Sequence, residues 1–196
     1  VSKPHLLDLF SGAGGSCRGY QMAGFYVVGV DNRPQPHYVG NEFYQADALE
    51  FCAAHGREYD AIHASPPCQG YSSMRHVTGR QYPLLISQVR EALKETGKLY
   101  IIENVMGAPL INPVMLCGTM FGLRVIRHRL FECSEPIYFL PASCRHYLKT
   151  QKQGRKPDEE KHFITVTGNF SGQDFARRAM GIDWMTRAEL TQAIPP

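Results

Sequence analysis

The stretch Leu6-Leu7-Asp8-Leu9-Phe10-Ser11-Gly12-Ala13-Gly14-Gly15 decides the reading of the fold. A short, mostly apolar run over residues 6–10 passes directly into a turn of glycines and small residues. That order predicts a buried strand feeding a tight turn, with a helix to follow as far as Ala23 and a stop at Gly24. Working outward, residues 25–30 are β-branched and aromatic and close on Asp31-Asn32-Arg33-Pro34. A weaker strand is expected over 43–46, ending at Asp47, and another apolar run over 59–64 ends in Ser65-Pro66-Pro67. Residues 83–96 carry helical spacing at Leu84, Leu85, Val89 and Leu93, with a proline at the start and Gly97 just after. Residues 99–102 form a last strand that ends at Glu103-Asn104. Strands that alternate with helices predict the α/β class, a mostly parallel, doubly wound sheet. Ligands of such sheets bind beyond the carboxyl ends of the strands. The polar groups at 12–15, Asp31, Asp47, 65–69 and Glu103 are therefore expected in one crevice.

Composition narrows the class of protein. The 196 residues fit one domain, and 43% hydrophobic with 20% charged content is that of a folded globular chain. No apolar run approaches the ~18–20 residues of a membrane helix, and the N-terminus lacks signal-peptide features. A cytoplasmic protein with no membrane partner is expected. A net charge of +3 argues for no particular partner. One local run does more: Arg145, Lys149, Lys152, Arg155 and Lys156 occur with no acid among them. They form either a solvated loop or a loop that meets phosphates. None of the six cysteines falls in a CxxC pair, so all are expected to be free thiols. Cys144-x-His146 with Cys133 upstream misses ordinary zinc spacings, and no metal site is expected.

Past Glu132 the alternation weakens, leaving a strand at 163–167 and short helices at 174–180 and 186–193.

Each strand end carries its own chemistry. The glycines of 12–15 let a ligand approach the backbone, although one glycine of the dinucleotide fingerprint is missing. Asp31 stands where a carboxylate binds ribose hydroxyls, or it simply forms a turn with Asn32. Asp47 is an acceptor for an adenine amino group or another turn residue. Pro66-Pro67 stiffen the backbone before Cys68, which suits a nucleophile and equally a buried cysteine after a turn. A desolvated Glu103 has its pKa raised and can donate to a ring nitrogen. Arg127 and Arg129 share one side of an extended segment, with His128 opposite, and suit a phosphate or carbonyl oxygen.

Four motifs in this order resemble those of the DNA cytosine-5 methyltransferase family: the Asp8–Gly15 stretch, Pro66-Pro67-Cys68-Gln69, Glu103-Asn104-Val105 and Arg127-x-Arg129. The resemblance implies a Rossmann-like methyltransferase fold and transfer of a methyl group from S-adenosylmethionine to cytosine C5. Cofactor contacts are implied at Phe10, Ser11, Gly12, Gly14 and Gly15, at Asp31, Asn32, Asp47 and Ala48, and at Pro66 and Gln192. Cys68 would attack C6, Glu103 would hold N3 and the exocyclic amine, and Arg129 the O2 side with Arg127 in support. Ser65, Pro67, Gln69, Ser72 and Asn104 would border the substrate. The implied organisation is a catalytic core at 1–132, a reduced target-recognition segment at 133–175 and a return to the core at 176–196. Gln192 stands where the family has Asn, and Val125 where it has Gln. So short a recognition segment predicts relaxed specificity, single-strand preference or reliance on a protein partner. DNA is the implied substrate. A tRNA methyltransferase and a silent DNA-binding module are the alternatives.

Overall fold

The computed structural model describes residues 2–72, 81–136, 142–152, 154–155, 157–168 and 170–196. Lys156 of the basic run lies outside them. The first strand, β1 (His5–Leu9), leads through the glycine turn into α1 (Gly15–Met22). There follow β2 (Tyr26–Asp31), β3 (Glu42–Gln45), α2 (Ala48–His55), β4 (Ala61–Ala64), α3 (Ile86–Thr96) and β5 (Leu99–Asn104). Two further strands, β6 (Val114–Leu116) and β7 (Arg129–Cys133), complete a seven-stranded sheet in the order β3-β2-β1-β4-β5-β7-β6. The first five strands are parallel, and β7 runs antiparallel to both β5 and β6. This is a doubly wound sheet, and its order reverses between β1 and β4, where such folds open their ligand crevice.

Alternation along the strands sorts the core. Leu7 and Leu9 of β1 pack on one face with Ile62, Cys52 of α2 and Val89 and Leu93 of α3. Leu6, the residue before Leu7, faces the other way and joins Val27, Ala61 and Cys17 of α1. With helices on both faces, β1 and β4 are buried almost without a break.

The C-terminal part is short of regular structure. It holds β8 (Lys149–Thr150), β9 (His162–Phe163), α4 (Gln173–Met180) and α5 (Arg187–Gln192). A second core gathers Ile164, Val166, Phe175, Met180 and Leu190 around Val125, and it reaches Ala13 of the glycine turn. The strand expected over 163–167 is reduced to two paired residues and one isolated bridge, Val125 to Ile164, because Ile164 and Val166 pack into this core instead of continuing a ladder. The expected strand at 59–64 begins only at Ala61, since a 3₁₀ turn at Gly56–Glu58 occupies the chain just before Tyr59. The helix expected at 83–96 begins at Ile86, three residues after Pro83. Among the described residues no helix is long and apolar enough to cross a membrane.

Two buried charge features set the stability of this frame. Arg90 of α3 grips Glu132 of β7 with two hydrogen bonds of 2.7 and 2.8 Å, and Glu132 also accepts from Ile111 N at 2.7 Å. Removing one partner leaves an unpaired buried charge. Glu132→Ala is expected to cost about 3–5 kcal/mol in chemical denaturation, and the Arg90→Met/Glu132→Leu pair much less. A double variant as unstable as the single one would refute this. Asp8 is fully buried in β1; burial pushes its carboxyl from 3.8 to about 7, against the pull of the Ser16 hydroxyl 2.9 Å away. The folded chain thus holds the proton more tightly than the unfolded chain. The stability tied to that proton is present below pH ~4 and is lost as pH rises to ~7, on the order of 4 kcal/mol. Asp8→Asn should flatten the stability profile over this window. Parallel profiles of variant and parent would show that Asp8 carries no such linkage.

Candidate active site

The crevice lies where the parallel strands end. After β1, Phe10 takes a left-handed backbone (φ 58), a costly conformation for an aromatic residue and of a kind often retained at functional turns. Ser11 N donates to Val30 O at 3.1 Å, and Gly12 N donates to Asp31 Oδ2 at 3.1 Å. Asp31 is thereby aimed at the glycine turn. Its other oxygen accepts from Arg33 N at 3.0 Å, so the carboxylate is fixed and retains lone pairs for a further donor. Gly14, at φ 84, caps α1. Asn32 is exposed, and its carbonyl accepts from Gln45 Nε2 at 3.4 Å. Asp47 Oδ1 caps α2 by accepting from Leu49 N and Glu50 N, while Ala48 is buried in the core.

The C-terminal return closes on this turn. Trp184 Nε1 donates to Ala13 O at 3.0 Å. A Cβ on Gly15 would lie 2.5 Å from Ile194 O, so only glycine permits the approach. Gln192, on α5, donates to Thr191 Oγ1 at 3.3 Å. At Gly12, by contrast, a Cβ would meet nothing within 4 Å. Open space beside a fixed carboxylate, a glycine turn and an aromatic residue fits S-adenosylmethionine; Asp31 borders that space and Asp47 stands at the next strand end.

The reactive groups stand after β4 and β5. Pro66 is buried and Pro67 and Cys68 are half-buried; Tyr71 N and Ser72 N both donate to Cys68 O at 3.1 Å and close a turn around the cysteine. Asn104, buried at the end of β5, donates from Nδ2 to Pro66 O at 2.9 Å and accepts Val105 N at 2.9 Å. Its amide braces the cysteine loop. Glu103 is buried, and Arg129 Nε lies 2.9 Å from Glu103 Oε1. Burial pushes the Glu103 carboxyl up, against the pull of Arg129, the Ser65 hydroxyl and Arg127. Burial likewise pushes the Cys68 thiol up; Arg129 draws it back and Glu103 adds to the rise. Cys68, Glu103 and Arg129 are thus electrostatically one site.

Arg127 is buried and donates to Val166 O at 2.6 Å and Thr191 O at 2.8 Å, so it ties the C-terminal return to the sheet. Ser65 joins a second hydrogen-bond network. Its hydroxyl lies 2.9 Å from His63 Nε2 and donates to Glu103, and His63 Nδ1 lies 3.0 Å from the Tyr20 hydroxyl. Burial pulls His63 down to about 4, so the imidazole is neutral and relays hydrogen bonds from Tyr20 through Ser65 to Glu103. Sequence reasoning missed His63 and Tyr20. The one available signal was a histidine inside the apolar run before Ser65. A cavity of about 560 Å³ bordered by His63, Arg127 and Arg129 lies next to this chain. Gln69 is half-buried beside the cysteine.

Known proteins resemble this chain in sequence and fold. The profile for C-5 cytosine-specific DNA methylase matches residues 5–110. The type II methyltransferase M.NgoPII of Neisseria gonorrhoeae is 26% identical over 166 residues, covering 76% of this chain and 46% of that protein. M.XorII of Xanthomonas oryzae pv. oryzae is 28% identical over 124 residues, 55% of this chain and 29% of that protein. The matched regions thus span less than half the length of these curated relatives. The solved structure of the S. pombe Dnmt2 methyltransferase is similar in fold, with a TM-score of 0.60 over 99% of this chain and 95% of that one at 14% identity. With a match over more than half its residues, the chain belongs to the C-5 cytosine-specific DNA methylase family.

Proposed function

We propose that this chain is an S-adenosylmethionine-dependent DNA cytosine C5-methyltransferase that works through a covalent bond between Cys68 and C6 of a flipped-out base. The observation that carries the reading is the buried Glu103–Arg129 pair beside a cysteine held on a proline-stiffened loop. C5 of cytosine is a poor nucleophile. Addition of the Cys68 thiolate to C6 makes C5 enamine-like. S-Adenosylmethionine, when bound, supplies the electrophilic methyl group that C5 takes up. Loss of the C5 proton and departure of the thiolate then restore the aromatic ring and the free cysteine. Burial pushes the Glu103 carboxyl up against the pull of Arg129, which favours the protonated form that can donate to N3 and draw charge off the adduct. Arg129, whose Nε lies 2.9 Å from Glu103 Oε1, offers its remaining donors to O2. The base must leave its stack to reach this crevice. The exposed Arg145, Lys149, Lys152 and Arg155 suit phosphate contacts outside it.

The test is mass spectrometry of nucleosides after incubation with S-adenosylmethionine and duplex DNA, single-stranded DNA or tRNA. 5-Methylcytosine in DNA that vanishes in Cys68→Ala is the expected result. Methylation confined to tRNA would transfer the chemistry to RNA. No product in any arm, with binding equal in parent and variant, would favour a silent binding module.

Asn104 acts here as a positioning residue, since its amide reaches the loop and not the reacting atoms. Asn104→Ala should lower kcat about 10²-fold with a small change in KM for DNA. A matched loss in KM alone would place Asn104 on the substrate instead.

A further inference from the structure

Outside the crevice, four metal-ligating side chains meet that no spacing rule connects. Cys117 follows β6, His128 precedes β7, and Cys144 and His146 come from the segment beyond. Their ligand atoms all lie within 4.8 Å of one another. Cys117 Sγ is 3.6 Å from His146 Nε2, His128 Nε2 is 3.4 Å from Cys144 Sγ, and Cys144 Sγ is 2.8 Å from His146 Nε2. Both imidazoles therefore offer the same nitrogen to a single point. A tetrahedral zinc with Zn–S near 2.3 Å and Zn–N near 2.0–2.1 Å separates its ligand atoms by roughly 3.3–3.8 Å. Two of the three contacts already fall in that range, and the third would open by about 0.7 Å.

We propose that Cys117, His128, Cys144 and His146 form a structural zinc site that staples the reduced recognition segment to the catalytic sheet. Two sulfurs and two imidazole nitrogens at tetrahedral separations select zinc over harder or square-planar ions. Four protein ligands leave no open position, so the site is structural and not catalytic. Binding converts two thiols to thiolates and releases their protons to solvent, and the assembled centre is neutral, as a partly buried site requires. Around it, Thr119 Oγ1 lies 3.4 Å from Cys117 Sγ and 3.3 Å from Cys144 Sγ, positioned to donate to the thiolates. The ring of Phe163, itself buried, packs edge-on against His146 at 6.3 Å.

The need for a staple follows from the local architecture. Among the described residues, the stretch from 142 to 163 forms only the two-residue pair β8 and β9. So little regular structure and core rarely fix a segment without a metal or disulfide. The ligands also divide usefully: His128 sits between Arg127 and Arg129, and Cys144 and His146 alternate with the exposed Arg145 and Tyr147. One ion would hold the arginine segment of the crevice and the basic face of the recognition segment in a fixed relation. That consequence rests on the DNA-methyltransferase reading; the metal site does not.

The experiment uses the whole chain and reads metal, not methylation. Protein purified under reducing conditions is stripped with a chelator and titrated with zinc or with cobalt(II) alone. About one equivalent should bind, with release of about two protons, and the cobalt form should show tetrahedral d–d bands and thiolate charge transfer. Thermal stability should rise on zinc addition. Cys144→Ser and His146→Ala, at half-buried and exposed positions, should each weaken binding by at least about tenfold while circular dichroism reports a folded sheet. Cys133→Ser, on β7 outside the cluster, should bind as the parent does. Substoichiometric binding, an octahedral cobalt spectrum, a Cys117–Cys144 disulfide in the reduced-prepared protein, or full affinity in both ligand variants would each overturn the proposal.

Discussion

The crevice depends on backbone register at the ends of β1, β2, β4 and β5. Leu9 pairs with Val30 on one side and Ala64 on the other, and Ala64 pairs with Ile102. The ladder then continues past each strand into the loop that carries chemistry. Ser11 N donates to Val30 O, Ser65 N to Leu9 O and Ala46 N to Asp31 O, each at 3.1 Å. A loop tied to the sheet by its first peptide has little freedom in where it begins, so the glycine turn, the cysteine loop and the Glu103 end share one origin. Side-chain braces complete what the ladder starts, with Asn104 on Pro66 and Asp31 on Gly12.

That origin is dry, which explains its electrostatics. Asp8, His63, Glu103 and Arg127 are all buried there, an arrangement that burdens the fold. Each ionisable group is pushed toward its neutral form, with Asp8 and Glu103 raised and His63 lowered. Arg129 keeps a partner in Glu103, and Arg127 is hydrogen-bonded to the backbone carbonyls of Val166 and Thr191. A frame built only for stability would fill this space with apolar side chains. Concentrating perturbed groups at a topological switch point is the mark of a site that sacrifices stability for chemistry.

Local signals account for how much of this was legible from residues alone. Apolar runs ended by Gly12, Asp31, Pro66 and Glu103 located the parallel strands, because burial on both faces writes a continuous signal into sequence. Cys68, Glu103 and Arg129 stood out by motif and meet in space. α2 escaped because Asp47 reads equally as a turn residue and as the helix cap it turned out to be. The β6–β7 pair escaped because three half-buried residues and an Arg-His-Arg start carry no period-two pattern. Which way Ser65 and Asn104 turn at their strand ends is set by partners the sequence does not point to, His63 with Glu103 for Ser65 and Pro66 for Asn104. Of the Cys117–His146 cluster only Cys144-x-His146 was visible in sequence; Cys117 and His128 lie whole elements away, and only the fold brings all four together.

Arg127, His128 and Arg129 condense the logic of the molecule into three consecutive residues. Arg127 reaches Val166 O and Thr191 O and so holds the C-terminal return, which in turn covers the glycine turn through Trp184. His128 reaches the cysteine and histidine of the segment at 144–146. Arg129 reaches Glu103 and thereby the electrostatics of Cys68. A displacement of this strand start would move the C-terminal return, the segment at 144–146 and the Glu103 carboxyl together. Anchoring it from several directions is therefore worth more than anchoring any one of those parts. The antiparallel pairing of β7 with β5, which sets Asn104 against Leu130, is what lets one short segment serve all three.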